Sequence, residues 1–579
     1  MIPKSMRPLL PYLKRYRWGF VAGAVCVVLS NGAWATLPKV IGAAAESLKG
    51  EVNPHKLMIF ALQVLGLATI RAVFLFLTRW IVIGISRDIE FDLRNDLFAH
   101  LETLAYSYYQ KMRTGDIMAR MTNDLNAVRM LLGPAIMYSA NTFVFTAAAL
   151  WFMVHRSPKL TLYAFLPLPL VSIVIQYFGR RIHERFERIQ AMFSDISARA
   201  QENFSGVRVI RAYVQEEAEI ASFERANQEY MGRSLKLVRL MGMLWPTLEL
   251  MLGLAMVLVL WIGGREVLAG RMDIGAFTAF NIFMMQLTFP VIALGWVVNI
   301  FQRGTASLIR LNQILQEQPE IKDEPEARDR ELRGEIEFRG LNFAYDGKAV
   351  LHDVDLRIPA GSSMAIVGPT GSGKTTLVNL IPRIYDAAPG SVLIDGRPIR
   401  EFSLASLRQE IGFVPQETFL FSERIRENIA LGLESATDRQ IHDAAEAANL
   451  AQDIESFPEQ YQTMVGERGI TLSGGQKQRA AIARALIRNP RILILDDALS
   501  SVDTHTEDTI LNHLREVMQG RTTIFISHRV STVRNADCIA VLHQGRIVES
   551  GTHDELLALN GYYSDLYNKQ LLEEELAEV

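Results

Sequence analysis

The chain has 579 residues, of which 49% are hydrophobic and 21% are charged, and its formal net charge is −3. This length exceeds what a single hydrophobic core organises, so we expect at least two domains. The small net charge argues against a dedicated nucleic-acid-binding protein, and a chain with only Cys26 and Cys538 cannot be a disulfide scaffold.

Six apolar segments lie in the first half of the chain, and each provides the roughly 18–20 residues that a helix needs to cross a bilayer. Four contain uninterrupted charge-free runs, whereas Arg71 interrupts the second and Glu249 the fifth. Short loops join the first and second, third and fourth, and fifth and sixth segments, and long polar connections separate the rest. The predicted spans are residues 18–45, 57–80, 130–154, 160–180, 240–264 and 274–302.

The distribution of basic residues predicts the orientation of these spans. Five lysines and arginines lie among residues 4–17, against Lys49 and Lys56 in the first short loop. By the positive-inside rule, the N-terminus and both long connections are expected in the cytoplasm. An even number of spans also returns the second half of the chain to the cytoplasm. We therefore expect a multi-pass protein of the cytoplasmic (inner) membrane.

The second half of the chain has a different pattern. Short apolar strands predicted at residues 363–367, 391–394, 492–495 and 522–526 alternate with amphipathic helical segments. This alternation is typical of an α/β domain with a largely parallel sheet. We predict a transmembrane domain over residues 1–316, a charged linker over 317–334 and the α/β domain over 335–579.

A complete phosphate-binding motif follows the predicted strand that ends at Val367. Residues 368–375 read GPTGSGKT, which matches the pattern G-x-x-x-x-G-K-[ST]. In such loops the glycines let backbone N–H groups surround phosphates, the lysine neutralises their charge and the hydroxyl binds Mg²⁺. The residues expected to surround the nucleotide are Gly368, Pro369, Thr370, Gly371, Ser372, Gly373, Lys374, Thr375 and Thr376.

Two further motifs belong with this loop. The sequence RILILDD over residues 491–497 predicts a buried strand that places Asp496 at its carboxyl end, where it is suited to hold Mg²⁺. Asp497 is suited to face the attacking water, although two aspartates after a strand can also cap a helix. Between the motifs, the pentapeptide LSGGQ predicts another anion-binding helix N-terminus. It comprises Leu472, Ser473, Gly474, Gly475 and Gln476.

The P-loop, LSGGQ and the aspartate-ended strand, in this order, resemble the nucleotide-binding domain of ABC transporters. The six spans with two long connections resemble the ABC exporter half-transporter of the multidrug and lipid exporter kind, so the resemblance covers essentially the whole chain. It implies a six-helix α transmembrane domain of ABC exporter type followed by an α/β P-loop ABC ATPase domain. It also implies ATP and Mg²⁺ as cofactors and an ATP hydrolase coupled to transport.

The resemblance assigns roles to further residues. Tyr345 matches the aromatic residue that stacks on adenine, Gln416 the glutamine that touches Mg²⁺, and His528 the histidine at the γ-phosphate. Asp503 and the LSGGQ residues match groups that act on the opposite site of a dimer. Asp497, His528 and Gln416 are therefore the expected catalytic residues. Residues 108–124 and 202–217 resemble the family's cytoplasmic coupling helices, and residues 466–469 an exporter-specific loop.

One position departs from the family pattern, because Asp497 stands where most members carry glutamate. The shorter carboxylate lies about an ångström farther from the water, and a misplacement of that size can reduce the rate about a hundredfold. Some exporters pair such a subunit with a second half-transporter that keeps the glutamate. We therefore predict the degenerate-site subunit of a heterodimer, with a homodimer as the alternative.

The membrane half offers candidate substrate contacts. Charges inside spans are functional candidates by default, and methionines give an adaptable apolar surface. We expect a multidrug-type exporter of hydrophobic or amphipathic small molecules that contacts membrane lipid and no nucleic acid, working by alternating access. A lipid flippase on the same scaffold remains open, and an ATP-gated regulator is a less favoured reading. The candidate substrate residues are Glu249, Met251, Met284 and Met285.

Overall fold

In a computed structural model, the chain divides into two compact units. One unit contains residues 1–100 and 115–316, and the other contains residues 101–114 and 317–579. The structure describes residues 4–49, 54–433, 435–466, 469, 471–499, 510, 518–527 and 533–577.

The first unit is helical. Within the described residues it contributes six segments that are long and apolar enough to cross a membrane, which confirms the predicted transmembrane fold. Each predicted span lies within one of these segments or overlaps it. The segments, here called spans 1 to 6, are Arg17–Ser47, Pro54–Thr103, Thr114–Arg156, Pro158–Ser205, Glu216–Leu268 and Ile274–Gln316.

Spans 3 and 4 are assembled from shorter pieces, whereas the other four are each one continuous helix. Span 4 begins where the side chain of Ser157 accepts a hydrogen bond from the N–H of Leu160, which satisfies a free donor of the first turn. Shorter helices cover Lys4–Leu9, Leu10–Arg15, Tyr106–Lys111 and Val207–Ala212. The pieces of span 3 are Thr114–Ala119, Arg120–Asp124, Leu125–Met130, Leu131–Ala135 and Ile136–Arg156, and those of span 4 are Pro158–Phe165 and Leu168–Ser205.

The second unit is an α/β domain that contains two sheets among its described residues. The strands are Ile336–Tyr345 (β1), Lys348–Ile358 (β2), Ser363–Val367 (β3), Val392–Ile394 (β4), Arg397–Pro398 (β5), Ile411–Val414 (β6), Ile492–Asp496 (β7), Thr522–Ile526 (β8), Cys538–His543 (β9) and Arg546–Gly551 (β10). Five of them form a parallel array in the order β9-β3-β8-β7-β6, with β10 antiparallel at the β9 edge. The other sheet is antiparallel in the order β2-β1-β4-β5.

The burial of the central strands is consistent with their position in the parallel sheet. Strands β7 and β8 are buried at every position, as expected for central strands of a parallel sheet covered on both faces. Helices that pack around the sheets begin at serine or threonine caps at several places, including Ser403, Thr437 and Thr552. From residue 317 onward, the helices among the described residues are Lys374–Asn379, Ile399–Glu401, Leu404–Gln409, Ile425–Ala430, Asp438–Ala447, Ala451–Ser456, Gln460–Gln462, Gly474–Leu486, His553–Ala558 and Tyr562–Ala577.

Candidate nucleotide-binding site and membrane cavity

The predicted phosphate loop joins the end of β3 to the helix that begins at Lys374. Its three glycines have positive φ angles of 150° at Gly368, 81° at Gly371 and 106° at Gly373. A Cβ atom at Gly368 would lie 2.1 Å from the carbonyl oxygen of Leu542, so only glycine fits there. Steric necessity therefore accounts for the first glycine of the motif.

The ammonium group of Lys374 is held inside this loop. It donates hydrogen bonds to the carbonyl oxygens of Gly368 at 2.7 Å and Pro369 at 2.9 Å. Burial lowers the pKa of Lys374, while the nearby carboxylates of Asp496 and Asp497 act in the opposite direction. A buried cation whose hydrogen-bond acceptors are neutral carbonyls is well placed to bind an anion such as a phosphate group.

Asp496 lies at the carboxyl end of β7 and is 1% exposed. Its Oδ1 atom accepts a hydrogen bond from the Thr375 hydroxyl at 3.2 Å. Among the described residues, its Oδ2 atom has no hydrogen-bond partner. Burial raises the pKa of Asp496, because it disfavours the charged carboxylate.

These oxygen atoms suit a hard divalent cation. One cleft is lined by Asp496, whose Oδ2 atom has no donor among the described residues, and by Thr375 and Gln416. Mg²⁺ prefers oxygen ligands of the kind that these side chains offer. The hydroxyl of Ser372 is also buried without a hydrogen-bond partner among the described residues. The residues present therefore fit Mg²⁺ beside a phosphate chain.

Asp497 follows directly and adopts a left-handed backbone conformation with φ of 49°. Its N–H donates to the carbonyl oxygen of Ile526 at 3.0 Å, which ties it to the end of β8. Aspartate tolerates this conformation better than most residues. Asp497 borders a cleft of about 240 Å³ that is lined by Val350, Thr370, Gly371, Gly373, Lys374, Thr375, Thr376, Gln416, Asp496, Asp497 and Ile526.

Tyr345 ends β1 and is half-buried. Its hydroxyl donates to the hydroxyl oxygen of Thr376 at 3.2 Å. Its ring packs edge-on against Phe343 and Tyr385, with centroid distances of 4.9 and 5.0 Å. Burial raises the pKa of Tyr345, while its hydrogen bond with Thr376 acts in the opposite direction. The ring is thus fixed next to the phosphate-loop helix.

The LSGGQ motif forms the predicted helix N-terminus. Ser473 caps the helix Gly474–Leu486, and Ser473 and Gln476 form a reciprocal capping box. The Gln476 amide also donates to Asp453 at 3.0 Å, and Arg479 forms an ion pair with the same carboxylate at 2.7 Å. Of the described residues that line the cleft, none belongs to this motif. The structure therefore does not bring the motif to the phosphate loop of the same chain.

Some of the expected site residues lie outside the described part of the chain. These are His528 and Asp503, together with Glu467 and Arg468 of the loop over residues 466–469. Their expected roles stay predictions.

In the membrane unit, three of the four substrate candidates line one apolar cavity of about 260 Å³. They are Glu249, Met251 and Met284, whereas Met285 is 61% exposed and does not line it. The helix geometry explains the difference, because Met285 follows Met284 directly and points about 100° away around the helix axis. The methionine pattern alone could not separate these neighbours.

A short segment of the first long connection folds as part of the α/β unit. Tyr106 packs edge-on against Tyr385 with a centroid distance of 6.0 Å, and Lys111 forms an ion pair with Asp346 at 2.7 Å. The hydroxyl of Ser107 donates to Glu320 at 2.6 Å. Sequence reasoning placed a coupling segment near here but missed these contacts. Three tyrosines at residues 106, 108 and 109 within a polar connection were the available signal.

Comparisons with known proteins agree with this architecture. The family described as "ABC transporter transmembrane region" matches residues 20–291, and that described as "ABC transporter" matches residues 351–500. A Bacillus subtilis relative, described as the probable multidrug resistance ABC transporter ATP-binding/permease protein YheI, is 37% identical over 97% of both chains. This chain is an ABC exporter.

Two further comparisons show the range of this exporter's relatives. An ATP-dependent lipid A-core flippase of Syntrophus aciditrophicus is 37% identical and matches 96% of this chain and 93% of its own. The solved structure of a bacterial Atm1-family ABC exporter with ATP bound superposes with a TM-score of 0.79 at 29% identity, over 96% of this chain and 99% of that one. The exporter is thus a multi-pass membrane protein with a cytoplasmic domain that binds nucleotide and hydrolyses ATP to drive transport.

Proposed function

We propose that this exporter moves hydrophobic or amphipathic small molecules out across the cytoplasmic (inner) membrane by alternating access, as one subunit of a dimer. The cleft that gathers Lys374, Thr375, Gln416, Asp496 and Asp497 carries the proposal. The apolar cavity between spans and the multidrug designation of the Bacillus relative support the substrate class.

The nucleotide would bind through the chain's own cleft residues. Lys374 would exchange its carbonyl partners for phosphate oxygens, which carry full negative charge and so bind the ammonium more strongly. Thr375, Gln416 and Asp496 would hold Mg²⁺. When bound, Mg²⁺ neutralises the charge that develops on the phosphate oxygens during transfer. Tyr345 would stack on the adenine ring.

Asp497 would orient the water that attacks the γ-phosphate, with Gln416 and His528 as further polar contacts. Its backbone is fixed at the end of β7 by the hydrogen bond to Ile526, so the shorter side chain cannot move closer as a whole. We therefore expect slow hydrolysis at the site that contains this residue.

Separation of the LSGGQ motif from the cleft within one chain supports dimerisation. Ser473 and Gly474 begin a helix whose N-terminal N–H groups would bind an anion. Because the motif does not line the cleft of its own chain, the phosphate that it binds would belong to a nucleotide on another chain. The phosphate would come from the nucleotide on the second half-transporter's P-loop. Asp503 would act across the same interface.

The combination of an intact LSGGQ with Asp497 favours a heterodimer over a homodimer. In a heterodimer, this chain would complete an efficient site whose glutamate belongs to the partner. Its own P-loop would form the slower site. A homodimer would have two identical sites, each with the shorter carboxylate.

ATP-driven transport in inside-out vesicles tests the proposal. Vesicles that contain the exporter should accumulate the hydrophobic dye Hoechst 33342 when ATP is added, and Lys374→Ala vesicles should not. A flippase is the second candidate, favoured by the 37% identity to a lipid A-core flippase. Translocation of a fluorescent lipid without dye accumulation would favour the flippase and contradict the multidrug proposal.

A further inference from the structure

The apolar cavity of the membrane unit contains a single ionisable side chain. Residues of spans 3, 4, 5 and 6 line it, and Glu249 of span 5 is the one charged group among the lining residues that the structure describes. The polar groups near it are two threonine hydroxyls and an indole. The lining residues are Thr146, Ala164, Phe165, Pro167, Val171, Ile175, Trp245, Leu248, Glu249, Met251, Leu252, Ala255, Met284, Leu287 and Thr288.

Within the described part of the chain, Glu249 has neither an ion-pair partner nor a hydrogen-bond partner. The nearest basic residues along its own helix are Arg239 and Arg265. At 1.5 Å per residue they lie about 15 and 24 Å away along the helix axis, too far for a direct ion pair. The carboxylate therefore has no neutralising cation on its own helix.

Arg71, the charge that interrupts the second apolar run, is matched to an aromatic ring. The guanidinium of Arg71 in span 2 lies 3.2 Å from the centroid of the Trp34 ring in span 1, a close cation–π contact. Arg71 is thus matched to an aromatic face and not to Glu249. This leaves Glu249 as an unmatched negative charge at an apolar cavity in the membrane half.

The Glu249 side chain is exposed in the structure, so a ligand that enters the cavity can reach it. Ionisable residues inside apolar spans are costly in lipid and are functional candidates by default. A ligand with an apolar body and one positive charge would offset that cost, because its body fills the cavity and its charge neutralises the carboxylate. Trp245 and Phe165 add aromatic faces that also attract cations. An anionic headgroup at the same place would be repelled.

We propose that this cavity binds lipophilic monocations and discriminates against lipophilic anions through Glu249. This inference deepens the proposed function and rests on it for its role in transport. The recognition itself requires no ATP, so binding can be measured separately from transport.

Two ions of the same shape and opposite charge provide the test. Binding of tetraphenylphosphonium and tetraphenylborate to the full chain in lipid nanodiscs would be measured by equilibrium dialysis, with empty nanodiscs subtracted. Glu249→Gln should weaken tetraphenylphosphonium binding about tenfold or more, as expected for a lost charge pair in partly apolar surroundings, and should leave tetraphenylborate binding equal or tighter.

Two further variants make the result specific. Glu249→Asp retains the charge and should retain most of the preference for the cation. Glu224→Gln removes a carboxylate from the same helix at an exposed position outside the predicted apolar span, and should change neither affinity. If Glu249→Gln weakens both ions equally or neither, or if Glu249→Asp loses the preference, the inference is wrong.

The experiments distinguish failure of the cation site from failure of the proposed function. Charge discrimination in dialysis without ATP-driven dye accumulation would support the cation site and contradict the multidrug proposal. Dye accumulation that is unaffected by Glu249→Gln, together with equal binding of both ions, would support the exporter and contradict the cation site.

Discussion

The hydroxyl group of Tyr345 donates a hydrogen bond to the hydroxyl oxygen of Thr376 at 3.2 Å. Thr376 is the residue after the last P-loop position, so this bond connects the end of β1 to the start of the phosphate-loop helix. The proposed adenine-stacking ring and the proposed phosphate cradle are therefore positioned against each other by direct contact.

Two substitutions at Tyr345 distinguish the contribution of its ring to ATP binding from that of its hydroxyl group. Tyr345→Ala should weaken ATP binding about tenfold, since stacking of an aromatic ring on a base contributes about 1–3 kcal/mol. Tyr345→Phe keeps the ring and should bind ATP within about threefold of the parent chain, because one neutral hydrogen bond contributes about 0.5–1.5 kcal/mol. Titration of the detergent-solubilised chain with a fluorescent ATP analogue gives both affinities. Equal losses would show that the hydroxyl, and not stacking, determines binding.

Lys374→Ala should reduce ATP affinity about a hundredfold, since charge-assisted hydrogen bonds to phosphate contribute about 1.5–3 kcal/mol each. Lys348→Ala removes an exposed lysine of β2 and should leave the affinity unchanged. The same titration measures both variants. Unchanged affinity in Lys374→Ala would contradict the assignment of the P-loop.

The heterodimer proposal predicts unequal effects of two variants on steady-state ATPase activity. In the complex isolated through a tag on this chain, Ser473→Ala should abolish most turnover, because it impairs the partner's efficient site. Asp497→Asn should matter much less. In a homodimer both changes affect every site, so equal losses would contradict the heterodimer. In this chain alone, Asp497→Glu should raise ATP turnover up to about a hundredfold, because the longer side chain brings the carboxylate closer to the attacking water.

Gly368 and Gly390 both have positive φ angles, but they differ in the space around them. A Cβ atom at Gly390 would have no neighbouring atom within 4 Å. Gly390→Ala should therefore lower the free energy of unfolding only by the cost of the left-handed backbone conformation, about 1–2 kcal/mol. Gly368→Ala would also place its Cβ atom 2.1 Å from the Leu542 carbonyl oxygen. It should therefore lower the unfolding temperature further and remove ATP binding. Thermal unfolding of the purified chain compares the two, and equal destabilisation would contradict the steric explanation.

The predicted orientation can be tested with single cysteines in a chain whose native Cys26 and Cys538 are replaced. A membrane-impermeant thiol reagent added to intact cells should label Lys56→Cys, and it should label Thr114→Cys only after the membrane is opened. Both parent side chains are exposed, so accessibility of the position itself does not limit labelling. Reversed labelling would contradict the positive-inside assignment.

Much of the fold was predictable because its signals are local. Charge-free runs identify the spans, since a bilayer requires a long apolar helix. Strands β3 and β7 are recognisable because central strands of a parallel sheet are buried on both faces and consist of short apolar runs. The segmentation of span 3 into five helical pieces was not predicted, although its piece Leu131–Ala135 contains Pro134, which removes a backbone hydrogen bond from the helix.

The candidate site, too, has features that local sequence predicts and features that depend on tertiary structure. The motif around Lys374 and the strand before Asp496 identify the cleft, because their spacing reflects a requirement of phosphate and metal binding. The buried Oδ2 atom of Asp496 and the convergence of Glu249 with Met284 depend on tertiary structure and have no sequence signal. Similarly, nothing local distinguishes Met284 from Met285 as a cavity residue.

The contact between Ser107 and Glu320 joins residues that are 213 positions apart in the chain. Residues 101–114 leave the ribosome long before the rest of the ATPase domain is made, so Tyr106 has no Tyr385 to pack against until synthesis is well past the last span. An ATPase domain produced from residue 317 onward lacks the contacts that Tyr106, Ser107 and Lys111 make with it. Fusing residues 101–114 to its N-terminus through a flexible linker should therefore restore stability that the truncated domain lacks.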